Sequence, residues 1–285
     1  MMNGLEPALY IVATPIGNLS DLTRRAEEVL RNADVVAAED TRHSKLLLDH
    51  YGIKPPQMVA FHDHNELERR DAIAEKVSAG LAVALISDAG TPLICDPGFH
   101  VVDLCRESGI RVVPVPGCCA AITALSASGL PTDRFVFRGF LPVKDKALRE
   151  ALESLRGETA TTVFYESPRR VLDTVRLMAE ILGSRRLVIA RELTKTFESF
   201  YDHPADEMAS FLAEDPDRQR GEFVIMVAGA ASPEEGEVTA EAERVLKVLL
   251  PLMPMRKAAK AAAEITGLRG NDLYEAALRL SGKES

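Results

Sequence analysis

The segment from Ser87 to Gly98, Ser-Asp-Ala-Gly-Thr-Pro-Leu-Ile-Cys-Asp-Pro-Gly, concentrates residues that are suited to holding a small ligand. Its glycines permit backbone torsions that bring amide groups close to a ligand, and its prolines stiffen the chain. Asp88 and Asp96 can accept hydrogen bonds from ligand hydroxyl or amino groups. The segment follows an apolar run and is longer than an ordinary strand-to-helix connection of roughly 2–6 residues. We therefore predict a ligand-binding loop here.

A second loop of similar character, from Thr14 to Leu19, also follows an apolar run. In open α/β sheets, ligands bind beyond the carboxyl ends of the strands, so both loops qualify as parts of a binding site. The sequence has no Gly-x-Gly-x-x-Gly after a strand, no Gly-x-x-x-x-Gly-Lys-Ser/Thr and no Gly-x-Ser-x-Gly. These absences disfavour a dinucleotide fold, a nucleoside-triphosphate loop and a serine hydrolase. A ligand held by backbone amides without phosphate-binding apparatus suits S-adenosylmethionine, which carries amino, carboxylate, ribose and adenine groups.

Two short segments mix acidic and basic side chains where a cleft could form. Glu39 to Arg42 follows the second predicted strand, and Arg191 to Lys195 ends a strand in the second half of the chain. Unpaired charge beside a cleft is costly, which favours a functional role over a pair of surface salt bridges. His62 and His64 are two residues apart, so in an extended segment their side chains lie on the same side, as two metal ligands could. No third ligand lies nearby in the sequence. We therefore expect no metal site. These histidines either donate hydrogen bonds to the substrate or simply form a polar end of a strand.

Composition narrows the class of protein. Of the 285 residues 46% are hydrophobic, and no apolar run approaches the roughly 18 residues that span a bilayer. The N-terminus lacks the features of a signal peptide and the four cysteines show no paired spacing, so we expect a cytoplasmic protein with free thiols and no membrane partner. The net charge of −9 argues against a protein that coats nucleic acid. It leaves open a shaped RNA that is met by a local basic patch, such as Arg256, Lys257 and Lys260.

The first 117 residues alternate strand and helix patterns, which predicts an α/β domain. Helices are predicted after a cap at Ser20 or Asp21 and at 43–51, 65–79 and 99–108. Strands are predicted at 9–14, 34–38, 59–61, 81–86 and 110–115. Because these strands are continuously apolar rather than alternating, they indicate a doubly wound, mostly parallel sheet that is covered on both faces.

The character of the chain changes after residue 117. Residues 118–133 are predicted to be a linker region, and residues 134–230 an α+β domain with a mixed sheet. Within that domain Ser167 followed by Pro168 predicts the start of a helix. Residues 238–285 are predicted to be a helical module, with helices at 238–250, 255–265 and 272–280. Its layout resembles a helix-turn-helix, and an appendage that packs on the body is an equally good interpretation.

Seven motifs in chain order carry a resemblance to a known family. They are Thr14-Pro-Ile-Gly-Asn-Leu19, Ala38-Glu-Asp-Thr-Arg42, Ser87-Asp-Ala-Gly-Thr-Pro-Leu-Ile94 with Asp96-Pro-Gly98, Val115-Pro-Gly117, Ala124-Leu-Ser-Ala-Ser-Gly-Leu-Pro131, Phe164-Tyr-Glu-Ser-Pro168 and Arg191-Glu-Leu-Thr-Lys195. The chain closely resembles the tetrapyrrole-methylase superfamily, and within it the methylases of small-subunit ribosomal RNA. The likeness runs from about Leu9 to Gly229, and the helical tail is also similar. Departures are small: Cys95 and Cys118 stand where serine and alanine are common, and Arg169 where histidine is common.

The resemblance implies a function and a set of binding residues. It implies a homodimer with a cleft between its two α/β domains, S-adenosylmethionine as methyl donor, and 2′-O-methylation of a cytidine ribose in 16S rRNA at the decoding centre. We expect the assembled small ribosomal subunit to be the preferred target of an acidic protein. The cofactor-binding residues implied are Pro15, Gly17, Ser87, Asp88, Ala89, Gly90, Thr91, Pro92, Ile94, Ala120, Ala121, Tyr165, Glu166, Arg220, Gly221 and Glu222.

Methyl transfer to a ribose hydroxyl suggests which side chains take part in catalysis. The hydroxyl is a weak nucleophile, so a base or a charge that stabilises the developing alkoxide is useful, although alignment should carry most of the catalysis. Our hypothesis gives base or orienting roles to Asp40, His64 or Glu192. Arg42 and Lys195 would position phosphate or stabilise the alkoxide.

Two other functions remain open from the sequence. A methylase of a corrin or porphyrin precursor would share the fold and the cofactor, but it needs a large cleft for a flat macrocycle. The Arg/Lys clusters and the helical tail favour RNA over that substrate. A non-catalytic module that senses S-adenosylmethionine is disfavoured by the charged segments at the sheet edge.

Overall fold

The computed structural model describes residues 4–62, 65–231 and 240–281. The chain divides into two compact units, the first ending at Gly229 and the second beginning at Ala230. No helix in the described ranges is long and apolar enough to cross a membrane.

The first sheet of the larger unit has five strands, all parallel. They are β1 (Ala8–Val12), β2 (Val35–Ala38), β3 (Gln57–Ala60), β4 (Ala82–Ile86) and β5 (Val112–Val115). Their order is β3-β2-β4-β1-β5, so β2 and β3 lie on one side of β1, β5 lies on the other, and β4 is inserted between β1 and β2. Every residue of β2 and β4 is buried, as continuous apolar strands require. The predicted doubly wound parallel sheet is confirmed.

Helices α1 (Arg24–Asn32), α2 (Thr41–His50), α3 (Glu66–Ser78) and α4 (Phe99–Glu107) accompany this sheet. Side chains alternate across a strand, so Tyr10 of β1 joins a core with α1, and its neighbour Leu9 joins a second core with α3 and α4. The two cores fix the strands from both sides, which leaves their carboxyl-end loops at one edge of the sheet.

The start of α1 differs from the sequence prediction. Neither Ser20 nor Asp21 caps it, because both lie in a separate 3-10 turn that Asn18 caps. The cap is Thr23, whose hydroxyl accepts a hydrogen bond from Ala26 N at 3.1 Å. Each of these side chains is a good cap, and the pattern alone could not rank them.

Residues 118–133, predicted as a linker region, contain the helix α5 (Ala120–Ala127). The run is rich in alanine and has no glycine or proline, so its helix propensity is high. Its buried residues, Ala121, Ala124 and Leu125, pack with apolar residues of the second sheet. The sequence interpretation gave too much weight to the turn residues that follow the helix.

The second sheet is mixed, as predicted. Its strands are β6 (Phe135–Phe140), β7 (Thr161–Glu166), β8 (Arg186–Arg191), β9 (Ser199–Pro204) and β10 (Phe223–Val227). They lie in the order β6-β7-β10-β8-β9, in which only β6 and β7 are parallel neighbours. One face packs against α6 (Asp145–Glu153), α7 (Val171–Leu182) and α8 (Ala205–Glu214), and the other against α5.

The predicted helix start at Ser167 and Pro168 is wrong. Helix α7 begins at Val171, and Ser167 instead heads a turn in which its carbonyl oxygen accepts from the N–H groups of Arg170 and Val171. The turn keeps Ser167 and Pro168 beside the end of β7.

The smaller unit consists of α9 (Ala240–Leu249), α10 (Met255–Thr266) and α11 (Gly270–Leu280). These agree with the predicted tail helices, apart from Val238 and Thr239, which lie outside the described residues. Their shared core is mostly alanine, and such small side chains let the helices approach closely. Glycine at position 267 has a left-handed conformation and ends α10, as the sequence pattern indicates.

Candidate functional site

A cavity of about 400 Å³ lies between the Ser87–Gly98 loop and the second sheet. This volume is in the range of small-molecule sites, about 300–1,000 Å³. Apolar residues form much of its wall, with Tyr165 and Phe140 on the side of the second sheet. The residues around it are Ile16, Glu39, Asp88, Ala89, Gly90, Thr91, Ile94, Cys95, Asp96, Cys119, Ala120, Phe140, Tyr165, Glu166, Ser167, Pro168, Leu193, Glu222, Phe223 and Val224.

Hydrogen bonds to its neighbours hold the loop in place. Gly90 and Thr14 exchange two backbone hydrogen bonds, of 2.8 and 3.0 Å, which join the loops after β4 and β1. The Thr91 hydroxyl donates to the carbonyl oxygen of Cys118 at 2.8 Å. Leu93 and Cys95 have φ angles of 73° and 69°, a left-handed conformation that costs about 1–3 kcal/mol at a non-glycine residue. The contacts around the loop must offset this strain, so its shape is imposed rather than flexible.

The cavity is acidic. Five carboxylate side chains border it, and no Lys, Arg or His stands among the described residues that line it. Asp88 also organises the sheet edge, since it accepts a hydrogen bond from Asp40 N at 3.1 Å and donates its own N–H to Glu39 at 3.3 Å. Coulomb attraction in such a site favours a cationic ligand and disfavours phosphate.

Tyr165 anchors the aromatic side of the cavity. Its ring meets Phe137 and Phe140 edge to face at centroid distances of 4.9 and 5.6 Å. Its hydroxyl oxygen accepts from the N–H of Ala121 at 3.2 Å. Burial is the main cause that raises the pKa of Tyr165, with the nearby Cys119 thiol second, so the phenol stays neutral. A neutral aromatic wall suits the flat part of a nucleoside.

A three-membered ion cluster stands at the rim. Lys195 Nζ donates to Glu192 Oε1 at 2.9 Å and to Glu222 Oε2 at 3.0 Å. Burial would raise the pKa of Glu192, but the hydrogen bonds from Lys195 and from Glu222 N outweigh it and the pKa is lowered. Burial would likewise lower the pKa of Lys195, and its two carboxylate partners raise it instead. Glu192 and Lys195 are therefore both charged near neutral pH.

Two predicted cofactor residues, Gly17 and Gly221, allow this cluster to form. A Cβ atom at Gly17 would lie 2.5 Å from Lys195 Cγ, and one at Gly221 would lie 2.5 Å from the Glu192 side chain. Gly221 also has φ +96°, which strains any other residue. Both glycines border the ion cluster and not the cavity.

Asp40 has a structural task that weakens it as a base. Its carboxylate caps α2, accepting from Arg42 N at 2.8 Å, and also pairs with the Arg42 guanidinium at 2.8 Å. The hydrogen bonds from Arg42 hold the pKa of Asp40 well below its usual value. His64, the other predicted base candidate on this half of the chain, lies outside the described residues.

The remaining predicted cofactor residues divide into two groups. The first group does not line the cavity that the described residues form, and the Arg220 backbone carbonyl accepts instead from Arg191 Nε; this group is Pro15, Ser87, Pro92, Ala121 and Arg220. Glu166 borders the cavity but is buried and occupied, because it accepts from Thr174 Oγ1 and Ser167 N, both at 2.8 Å. The other residues predicted to bind cofactor border the cavity directly: Asp88, Ala89, Gly90, Thr91, Ile94, Ala120, Tyr165 and Glu222.

Sequence reasoning missed mainly the apolar wall. Ile16, Phe140, Leu193, Phe223 and Val224 are ordinary strand or loop residues whose type carries no chemical signal. They line the cavity because the second sheet and the loops after β1 and β8 come together around it, which depends on contacts between residues far apart in the sequence. Cys95 and Cys119 also border the cavity, and only their proximity to predicted residues could have indicated them.

The residues present fit S-adenosylmethionine. Its sulfonium and ammonium groups match the acidic wall, and its adenosine part matches the apolar and aromatic wall. At Gly90 a Cβ atom would lie 3.3 Å from Ile16 and the φ angle is +83°, so glycine lets the backbone itself face the cavity. Among the described residues the wall has no Lys, Arg or His, so it offers a phosphate group no cationic side chain.

Comparison with known proteins first defines a class. Residues 8–209 match the family described as Tetrapyrrole (Corrin/Porphyrin) Methylases. Uroporphyrin III C-methyltransferase from Thermus thermophilus, solved with S-adenosyl homocysteine, is similar in fold with a TM-score of 0.50. It is 19% identical, and the match covers 78% of this chain and 97% of that one.

Closer relatives are more specific. Ribosomal RNA small subunit methyltransferase I of Escherichia coli O157:H7 is 52% identical, with 96% of each chain covered. The protein of the same name from Pseudomonas aeruginosa is 53% identical over 96% of this chain and 98% of its own. Residues 236–281 match the RsmI C-terminal HTH domain. The chain therefore belongs to the tetrapyrrole methylases and, within them, to the ribosomal RNA small subunit methyltransferase I family.

Proposed function

We propose that this chain transfers a methyl group from S-adenosylmethionine to the 2′-hydroxyl of a cytidine ribose in 16S rRNA. Relatives named as ribosomal RNA small subunit methyltransferases match 96% of the chain, which includes the helical unit as well as the larger one. The reaction takes place in the cytoplasm, on the assembled small subunit at its decoding centre. The protein acts as a homodimer.

The acidic cavity beyond β4 is the observation that carries the proposal. It combines carboxylates, a neutral aromatic wall and a loop of fixed shape at the carboxyl edge of a parallel sheet. That is the edge at which open α/β sheets bind their ligands. A cationic nucleoside such as S-adenosylmethionine meets every one of these features.

The chain's own residues contribute mainly orientation and electrostatics. S-Adenosylmethionine, when bound, supplies an electrophilic methyl group on a positively charged sulfur. Both Asp40 and Glu192 are weak bases, because their hydrogen bonds lower the pKa values. Lys195 lies one hydrogen bond behind Glu222 of the cavity wall, where a cation can stabilise alkoxide charge or meet an RNA phosphate. Arg42, exposed at the same sheet edge, meets phosphate, and His64 remains a candidate for the base.

Nothing favours a tetrapyrrole acceptor for this chain. The sequence of the uroporphyrin methyltransferase is only 19% identical to this chain, so that similarity shows the fold alone. It covers 78% of the chain, whereas the rRNA methyltransferases cover 96%. A non-catalytic sensor of the cofactor is likewise not supported by these relatives, which are named as methyltransferases.

A labelled-methyl assay tests the proposal. The purified protein should transfer label from S-adenosylmethionine to small subunits that lack the modification, and should leave a porphyrin precursor unlabelled. Alanine substitution of Asp40, Arg42, His64, Glu192 and Lys195, one at a time, tests the catalytic assignments. Full rate and full cofactor affinity in all five variants would refute those assignments.

A further inference from the structure

Helix α4 begins where the Ser87–Gly98 loop ends, and it has no cap of its own. Its N-cap is Gly98, which offers no side chain, and its first turn contains no acidic residue. The N–H groups of a first helical turn have no partners within the helix and carry partial positive charge. At the carboxyl edge of a doubly wound sheet, such a helix start is where phosphate groups commonly bind.

In this structure Glu66 occupies that helix start. Glu66 is only 7% exposed, and its Oε1 accepts from Gly98 N at 3.0 Å and from His100 N at 2.8 Å. It is the first residue of α3, distant in sequence from the helix that it caps. Asn65 sets its position, since the Asn65 side chain accepts from His62 N at 2.9 Å and donates to the Ala60 carbonyl at 3.3 Å.

The contacts of Glu66 bear directly on the cavity wall. Ile94, Cys95 and Asp96 line the cavity, and they lie between two fixed points, Thr91 at the Cys118 carbonyl and Gly98 at Glu66. The segment includes a left-handed cysteine, so it needs restraint at both ends to keep its shape.

Only glycine fits at position 98, the second fixed point of the segment. Its φ angle is +136°, and a Cβ atom there would lie 2.7 Å from Leu93 Cδ1. This backbone conformation sets the direction of the Gly98 N–H group, which donates its hydrogen bond to the Glu66 carboxylate.

We propose that Glu66 is a positioning and specificity residue of the cofactor site. Its carboxylate holds the Ile94–Asp96 wall in place and occupies the helix start at which a phosphate group would otherwise bind. The proposal rests on the proposed function, because it presumes that the cavity takes S-adenosylmethionine. Because the Glu66 carboxylate already accepts from the N–H groups at the start of α4, a nucleotide phosphate finds no free donors there. A doubly wound domain can in this way prefer a cationic nucleoside to a nucleotide.

Three variants separate this role from simple loss of charge. Glu66→Gln keeps an oxygen acceptor for both N–H groups, and should bind S-adenosylmethionine within about threefold of the parent protein by calorimetry. Glu66→Ala removes the acceptor and should weaken binding on the order of tenfold or more. Glu68→Ala is the matched control: an exposed carboxylate in the first turn of the same helix, expected to bind normally.

Kinetics should show the same division. In Glu66→Ala, KM for S-adenosylmethionine should rise while KM for the small subunit and kcat at saturating cofactor stay within about threefold. A general loss of folding would instead lower kcat and the fraction of active protein together. Thermal unfolding of each variant identifies that case, and Glu66→Gln then carries the test.

A gain of anion binding is the second readout. Inorganic phosphate or formate should shift the amide NMR signals of Gly98 and His100 in Glu66→Ala, and should leave the parent protein unchanged. Formate, as a small carboxylate, should also restore part of the cofactor affinity. Normal cofactor affinity in Glu66→Ala, or equal losses in the Gln and Ala variants with no anion effect, would overturn the proposal. A parent protein that fails to bind S-adenosylmethionine would instead overturn the proposed function.

Discussion

Gly17 shows at the scale of a residue how one atom decides the geometry of the rim. The sequence resemblance implies that it shapes the cofactor pocket, whereas the structure places it against the Lys195 side chain. A methyl group there would lie 2.5 Å from Lys195 Cγ, near the middle of the side chain and not at its flexible end. Lysine would have to leave its two carboxylate partners to make room.

Gly17→Ala should therefore separate Lys195 from Glu192 and Glu222. Overpacking of this kind costs roughly 1–3 kcal/mol, and we expect the methyl-transfer rate to fall on the order of tenfold. The control is Gly157→Ala, a position where nothing lies within 4 Å of the added atom. Steady-state kinetics of both variants check the expectation. Equal rates in both would show that the ion cluster has no part in the reaction.

Glu192 makes a prediction about pH. Its pKa is lowered in the folded state, so its ion pair stabilises the fold above the unfolded value of 4.5 and is lost as the pH falls through the lower folded value. The difference in Tm between the parent protein and Glu192→Gln should be constant from pH 8 to about pH 5 and should shrink only below about pH 4.5. Thermal unfolding across this range measures it. A difference that disappears by pH 6 would contradict the lowered pKa.

At this scale the sequence indicated several polar residues that border the cavity, but not the apolar residues beside them or the contacts that they make. Asp88, Thr91 and Tyr165 were identified and border the cavity. The wall residues Phe140 and Val224 were not, since apolar side chains in strands are common and the sequence pattern does not show which of them will line a cavity. Asp40 was identified as a base candidate, and only the structure reveals the Arg42 contacts that lower its pKa.

At the scale of the element, continuous apolar runs predicted the parallel strands well. β1, β2 and β4 are buried on both faces, and this leaves a strong signal in the sequence. Helix α5 was missed within the predicted linker region, because its alanines have high propensity but little amphipathic contrast. It matters for the site, since its N-terminal end supplies Ala120 and the Ala121 N–H that holds Tyr165.

Charge distribution on the helical unit leads to a prediction about RNA. Arg256, Lys257 and Lys260 are exposed on α10, and none pairs with a carboxylate among the described residues. The exposed face of α11 carries Glu275 with Arg279 and has no excess charge. Replacing the three α10 cations with Gln should raise KM for the small subunit on the order of tenfold. It should also reduce the salt slope, the steepness with which the logarithm of the binding constant falls with the logarithm of the salt concentration, by about 2–3.

A matched control distinguishes this effect from overall charge. The triple variant Lys54→Gln, Arg106→Gln, Arg279→Gln removes the same charge from exposed and scattered positions. It should leave the salt slope of subunit binding close to that of the parent protein. Equal slopes for the two triple variants would show that α10 does not contact RNA phosphate. Cofactor affinity, measured in parallel, should be unchanged in both.

At the scale of the whole molecule, the site combines loops of the first sheet with strands of the second sheet. The order of these elements along the chain does not by itself show that they lie together. The motifs that carry the resemblance are spread from Thr14 to Lys195, and the structure gathers those of the first sheet edge and β7 around one acidic cavity. Sequence patterns predicted each sheet, but the cleft between them depends on long-range packing. The resemblance to a family supplied what local patterns could not.

The measurement that tests this account most directly is the location of the transferred methyl group. Small subunits that lack the modification, and naked 16S rRNA, should each be incubated with the protein and S-adenosylmethionine, and ribose 2′-O-methylation mapped along the RNA. We expect one methylated cytidine at the decoding centre, formed efficiently in assembled subunits and poorly in naked RNA. Methylation of a base, or equal labelling of naked RNA, would contradict it.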